Sequence, residues 1–260
     1  MQLKDKVAIV TGAARGLGRA YAEAMAREGA AVVAGDVRDC AATVSAIHEA
    51  NGRALGVALD VAGFASCQAL ADAAVKEFGR VDALVNNAAL YANLKGGRFD
   101  QLDETQWDRV MQVNVKGVWN CCRAIVPLMR AQKSGSVINI ASLAPLYGLP
   151  YALDYSVSKG AVIALTKAMA VDHAAQLVRV NCIAPGPVYT PMVYARGMTP
   201  AARDQRRRAS VLAREGTGWD IGQAARFLLS GHARYITGHV LVVDGGATLV
   251  GPSRESLTEH

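Results

Sequence analysis

Charge is scarce in this 260-residue chain: 19% of residues are Asp, Glu, Lys or Arg, against 52% hydrophobic. That balance supplies ample core material and excludes an intrinsically disordered chain. A long basic stripe with interleaved aromatics is missing, which argues against a nucleic-acid surface. No apolar run approaches the length that spans a bilayer, so no membrane segment is expected. Cysteines at metal or redox spacing are also missing. Cys40, Cys67, Cys121, Cys122 and Cys182 are odd in number and contain no C-x-x-C pair. Three of them lie in apolar or amphipathic stretches and read as small core residues in a reducing compartment, with no metal site. The first strand begins within six residues and leaves no room for a signal peptide, so a soluble cytoplasmic protein is expected. Linkers, repeats and breaks in composition are absent as well, which predicts one domain over residues 1–250, followed by a polar tail at 251–260.

The net charge of +6 and the sequence pI near 9.2 are only mildly basic. Much of the excess comes from Arg203, Arg206, Arg207 and Arg208. That cluster reads as a solvated helix face, with contact to an acidic ligand as the alternative.

What the chain does have begins at Val7. Val7 to Val10 form an unbroken apolar run, as in a strand covered on both faces. Gly12, Gly16 and Gly18 follow, and residues 19–28 continue as an amphipathic helix. Glycines at these points let the backbone turn tightly and approach a pyrophosphate over the positive end of the helix. Asp36 ends a second apolar run eighteen residues after Gly18. This is near the spacing at which a carboxylate meets adenosine ribose hydroxyls.

Strands and helices then alternate. Strands are predicted at 7–10, 30–36, 54–60, 81–85, 136–141, 178–183 and 239–243, and helices at 38–51, 64–78, 104–131, 154–173 and 219–230. Pro127 is expected to kink or break the long helix over 104–131. The segment 187–218 reads as a long, partly helical lid. Such alternation predicts an α/β fold: a doubly wound, Rossmann-type parallel sheet of about seven strands with helices on both faces.

Ligands of an open parallel sheet bind at the carboxyl ends of its strands. Asp60, Asn86, Ser142 and Pro185-Gly186 fall there, close to Tyr155-Ser-Val-Ser-Lys159. Tyr and Lys at i and i+4 share a helix face, and an ammonium beside a phenol favours the phenolate. A phenol tuned this way serves as a general acid or base.

In these motifs the chain resembles the short-chain dehydrogenase/reductase family, from Leu3 to Gly246. Thr11-Gly-Ala-Ala-Arg-Gly-Leu-Gly18 resembles the family's T-G-x-x-x-G-x-G turn. Asn86-Asn87-Ala88-Ala89 resembles its N-N-A-G motif, with Ala89 where glycine is usual. Pro185-Gly186-Pro-Val-Tyr-Thr190 resembles its P-G-x-x-x-T segment, and Asn114, Ser142, Tyr155 and Lys159 match its four catalytic positions. The resemblance implies that Tyr155 exchanges the hydroxyl proton and that Ser142 bonds the substrate oxygen. It further implies that Lys159 binds the nicotinamide ribose and lowers the Tyr155 pKa, and that Asn114 holds a water linking Lys159 to solvent. Cofactor contacts are implied at Gly12, Arg15, Gly16, Leu17, Gly18, Asp36, Val37, Asp60, Val61, Asn87, Ala88, Ala89, Pro185, Gly186, Val188 and Thr190. Among these Asp60 would meet the adenine amino group and Thr190 the carboxamide. The hydride chemistry belongs to the nicotinamide and needs no metal. Relatives of this type are commonly homotetramers, which the helices at 104–131 and 154–173 would join.

Asp36 favours NAD, because a carboxylate accepts from both ribose hydroxyls and repels a 2′-phosphate. Arg15 and Arg38 pull toward NADP. The residues expected around the substrate are Tyr91, Ala144, Tyr147, Tyr151 and Met192. Leu143, Leu146, Leu149, Asn93, Val193, Tyr194 and Met198 lie around them. This apolar, aromatic set suits a small-molecule secondary alcohol with a hydrophobic body, or its ketone. A 3-oxoacyl thioester reductase using NADPH is the alternative within the family. A non-catalytic dinucleotide-binding sensor is the alternative outside catalysis.

Overall fold

The computed structural model describes residues 1–91, 94–190 and 198–249. Seven parallel strands form the sheet: β1 (Val7–Thr11), β2 (Ala31–Asp36), β3 (Arg53–Ala58), β4 (Ala83–Asn86), β5 (Gly135–Ile140), β6 (Val178–Pro185) and β9 (Val240–Val243). Their spatial order is β3-β2-β1-β4-β5-β6-β9, so the chain reverses direction across the sheet between β1 and β4. Two further strands, β7 (Val188–Tyr189) and β8 (Gly216–Thr217), pair with each other in parallel.

β1 shows why the sheet is covered twice. Val7 and Ile9 point to one face, where they join Leu70 of α3 (Phe64–Phe78), Ile125 and Met129 of α5 (Gly117–Ala131) and Val162 of α7 (Leu153–Asp172). Ala8 and Val10 point to the other, with Tyr21 and Met25 of α1 (Gly16–Arg27), Ile47 of α2 (Ala41–Glu49) and Ile221 of α9 (Gly218–Leu229). The two-residue period of a strand thus feeds two separate cores. All five cysteines are buried and free, and Cys67 Sγ lies 3.6 Å from Cys121 Sγ where α3 meets α5.

One predicted element is divided. Residues 104–131 form α4 (Glu104–Met111), a wide π-turn at Gln112–Lys116, and α5. Pro127 lies inside α5, which runs on to Ala131. A proline inside a helix costs about 3 kcal/mol. Buried Ile125, Val126 and Met129 hold α5 on the sheet around that defect. The break falls instead at Asn114, whose side chain turns inward. Between β7 and β8 lies α8 (Pro200–Arg208), and a short α6 (Ala144–Tyr147) precedes α7. Among the described residues no helix is long and apolar enough to cross a membrane.

Candidate active site

A cavity of about 2700 Å³ opens over the carboxyl ends of the strands, at the β1/β4 reversal. At one end lies the glycine turn, where each glycine has its own reason. Gly12 has φ +68°, and a Cβ there would come within 2.9 Å of the Ala88 Cα. Gly16 has φ +60° with open space above it. Gly18 packs so closely that a Cβ would overlap the Gly12 carbonyl oxygen. The turn is tied to β4 by Asn87, whose Nδ2 donates to the Thr11 carbonyl at 2.9 Å. Thr11 Oγ1 in return accepts from the backbone N–H groups of Asn87 and Ala88, each at 3.0 Å. Helix α1 starts at Gly16 with no side-chain cap and no acidic residue in its first turn. Its first N–H groups are thereby left to an anion.

Asp36 stands at the end of β2 in the same cavity. Its Oδ2 accepts from the Ala14 N–H and its Oδ1 from the Arg38 N–H, both at 3.0 Å. These bonds fix the carboxylate between the glycine turn and the following loop. Asp60 is oriented in the same way by the Ala62 N–H, at 2.9 Å.

At the far end β5 delivers Ser142, α7 delivers Tyr155 and Lys159, and β6 leads into Pro185 and Gly186. Gly186 is required there, because a Cβ would come within 2.5 Å of the Asp244 Cα. The Tyr155 phenol is pushed up to about 12, chiefly by burial, with Tyr91 and Tyr147 adding to the rise and a hydrogen bond with Ser142 opposing it. Tyr91 stacks on the Tyr155 ring with centroids 4.5 Å apart. Lys159 is buried and donates to the Ile140 carbonyl at 2.7 Å, while burial lowers its pKa to about 8. Its Nζ is 5.8 Å from the Tyr155 ring centroid. The phenol expected to be lowered by Lys159 is instead raised: burial outweighs an ammonium turned toward a carbonyl.

Asn114 lies behind the cavity wall. Its Oδ1 accepts from the Leu90 N–H at 2.8 Å, and its Nδ2 donates to the Leu90 carbonyl and to Ser158 Oγ, both at 3.1 Å. Ser158 Oγ donates onward to the Tyr155 carbonyl at 2.7 Å. Gly18 also sits behind the wall.

The cavity brings together Gly12, Arg15, Gly16, Leu17, Asp36, Val37, Asp60, Val61, Asn87, Ala88, Ala89, Pro185, Gly186, Val188 and Thr190 with Tyr91, Ser142, Ala144, Tyr147, Tyr155 and Lys159. Tyr151 is not among them: at φ +57° its exposed ring faces a small separate hollow beside Phe99 and Leu153. Met192 lies outside the described residues, as do Asn93, Val193 and Tyr194.

Beyond the predicted site residues, Asp154, Gln106 and Arg206 contribute, the last from the cluster read in the sequence as a solvated helix face. Asp154 is buried, and its Oδ1 accepts from the Tyr155 N–H at 2.7 Å. Its Oδ2 accepts from Gln106 Nε2 at 2.8 Å, and the Gln106 amide also clasps the backbone of Lys95. Arg206 enters the cavity from α8. For Asp154 the signal was an acid directly before Tyr155, which carried no direction; for Arg206 it was the cluster with Arg203, Arg207 and Arg208, whose alternative reading was contact with an acidic ligand.

Comparison with known proteins agrees with this geometry. A family model described as Enoyl-(Acyl carrier protein) reductase matches residues 12–248. The chain is 35% identical to a 3-oxoacyl-acyl-carrier-protein reductase of Thermotoga maritima, covering 96% of this chain and 100% of the relative. It is 39% identical to 3β-hydroxysteroid dehydrogenase 1 of Eggerthella lenta, covering 95% of each. The crystal structure of levodione reductase superposes with a TM-score of 0.90 at 30% identity, covering 96% of this chain and 100% of that one. The sheet, the glycine turn and the Ser–Tyr–Lys cluster define a dinucleotide-binding oxidoreductase fold, and the chain belongs to the short-chain dehydrogenase/reductase family. Within that family it is an NAD(P)-dependent alcohol dehydrogenase or ketoreductase.

Proposed function

We propose that this enzyme uses NAD to interconvert a hydrophobic secondary alcohol and its ketone, with Tyr155 as general acid and base. The supporting observation is the meeting of Ser142, Tyr155 and Lys159 at the end of the cavity opposite Asp36. The cradle fits a dinucleotide: a positive-φ glycine with open space above an uncapped helix start, and an oriented carboxylate beyond it. When bound, the nicotinamide supplies or accepts the hydride. In reduction Tyr155 donates its phenolic proton to the carbonyl oxygen, and Ser142 donates a hydrogen bond to the same oxygen as charge develops. Lys159, which donates to the Ile140 carbonyl, would hold the ribose hydroxyls of the bound cofactor, and its ammonium would favour the phenolate of Tyr155. Asn114 keeps one Oδ1 lone pair for a water that relays the proton. Thr190 would hold the carboxamide, and α8 with the other described residues between β7 and β8 would serve as the lid of one catalytic domain.

A carboxylate held by two backbone N–H groups cannot swing away from a 2′-phosphate, whereas Arg15 and Arg38 are exposed and free to move. This supports NAD. The relatives include a hydroxysteroid dehydrogenase, which accords with an apolar substrate body. A second reading, an NADPH-dependent 3-oxoacyl thioester reductase, draws on Arg15, Arg38 and the Thermotoga relative. It is weakened at α8, where Arg203 pairs with Glu215, and Arg207 and Arg208 both pair with Asp204. Those cations are already spent.

Initial rates with NADH and NADPH over aryl-alkyl ketones, cyclic ketones, keto-sugars and an acetoacetyl thioester decide between them. Fast reduction of an apolar ketone with NADH is expected. Preference for the thioester with NADPH would replace this reading by the second. The protein is further proposed to work in the cytoplasm as a homotetramer, since α5 and α7 expose Trp119, Val157 and Val171. Light scattering should give four times 27.3 kDa; a mass of one chain at micromolar concentration would rule that assembly out.

A further inference from the structure

The α8 arginines differ in one respect. Arg203 makes a two-pronged pair with Glu215, at 2.7 Å for each bond. Arg207 and Arg208 share Asp204, at 2.7 and 2.6 Å. Arg206 is half-buried and lines the cavity, and among the described residues no carboxylate lies within ion-pair distance of it. Among the described residues the one hydrogen bond of its guanidinium is long, 3.5 Å from Nη2 to the Val188 carbonyl. Glu215 feels its charge, but both Glu215 oxygens are taken by Arg203. A half-buried guanidinium with five donors and one long bond is under-satisfied.

Its surroundings point to what completes it. Rings line the route from the reacting end: Tyr91 lies on Tyr155, and Tyr91 and Tyr147 act electrostatically on each other. Arg206 lies near enough to Tyr147 to oppose the upward push that burial gives that phenol. The wall therefore runs from a proton donor, past aromatic faces, to a cation with no carboxylate partner among the described residues. Helix balance alone does not account for Arg206, because Arg207 and Arg208 sit in the same last turn of α8.

We propose that Arg206 is a specificity-determining residue that grips an anionic group of the substrate, remote from the reacting carbon. The substrate is then a keto or hydroxy acid: a carbonyl or alcohol carbon at Tyr155, an apolar spacer along Tyr91 and Tyr147, and a carboxylate or sulfonate at Arg206. The proposal rests on the reading of this cavity as the site of alcohol and ketone interconversion.

The test compares 3- and 4-acetylbenzoate with their methyl esters and with 4-acetylbenzenesulfonate, in the wild type and in Arg206→Gln. The wild type should prefer at least one acid over its ester by about tenfold or more in kcat/KM, as charge-assisted bonds are worth. Arg206→Gln should raise KM for that acid at least tenfold more than for the ester, with similar kcat. The sulfonate arm distinguishes a planar carboxylate from anions in general. An ester reduced as well as both acids, or a preference that survives in Arg206→Gln, overturns the proposal and leaves the ketone reading intact. Calorimetric titration of Tyr155→Phe with the acids adds a readout independent of turnover. Arg206-dependent binding there, with no reduction of any ketone by the wild type, would keep the anion site and overturn the reading of the reaction. Absence of both binding and turnover overturns both.

Discussion

Lys159 shows most clearly how a single side chain trades stability for chemistry. Its folded pKa of about 8 lies below the ordinary lysine value of 10.5 because burial disfavours the ammonium. Below pH 8 both folded and unfolded states are protonated, and the burial cost is present in full. Between about pH 8 and 10.5 the unfolded chain binds more protons, so stability rises with pH. The relief amounts to about 3 kcal/mol. In denaturant melts of the cofactor-free protein, Lys159→Met should therefore lose its advantage over the wild type as pH climbs from 7 to 10. A pH-independent difference would mean that Lys159 is not buried as an ammonium. Tyr155 and Lys159 were legible from their i, i+4 spacing, but the sign of the phenol shift was not. It depends chiefly on how deeply the phenol is buried, with Tyr91 and Tyr147 adding to the rise, and burial is set by residues distant in sequence.

Among the elements, the turn from β1 to α1 was the most legible, since its glycines are set by local backbone demands. The three are not equivalent, and the difference is measurable. Gly16→Ala meets open space and suffers only a left-handed backbone, a cost of about 1–2 kcal/mol. Gly18→Ala drives a methyl into the Gly12 carbonyl, which is backbone and cannot rotate away. Thermal melts should show a small loss for Gly16→Ala and a drop at least twice as large for Gly18→Ala, with dinucleotide binding abolished in the latter. Equal losses would contradict the packing assigned to Gly18. The helix over 104–131 was the least legible. Its apolar period runs through Gln112–Lys116 without a mark, because a π-turn keeps helical dihedrals and merely widens. What places it is Asn114 reaching the Leu90 backbone, a long-range contact. Tyr151 was misread for a related reason: position after Ser142 does not reveal a residue at positive φ.

For the whole molecule, the alternation of buried strands and amphipathic helices led to the sheet, and its order follows from right-handed crossovers on a twisted sheet. The reversal between β1 and β4 creates the cavity, so the fold itself decides where Asp36 and Tyr155 can meet one ligand. The segment 187–218 was legible as long and partly helical, but the pairing of Arg203 with Glu215 was not, because tertiary packing fixes it. The central claim is that Tyr155 moves the proton while the rest of the cavity binds. It is tested most directly by Tyr155→Phe, measured side by side for NADH binding by fluorescence and for reduction of the best apolar ketone in initial rates. The variant should bind NADH within about threefold of the wild type while turnover falls by a factor of about 100 or more, the usual contribution of a positioned proton donor. Turnover that persists with binding intact would contradict the account.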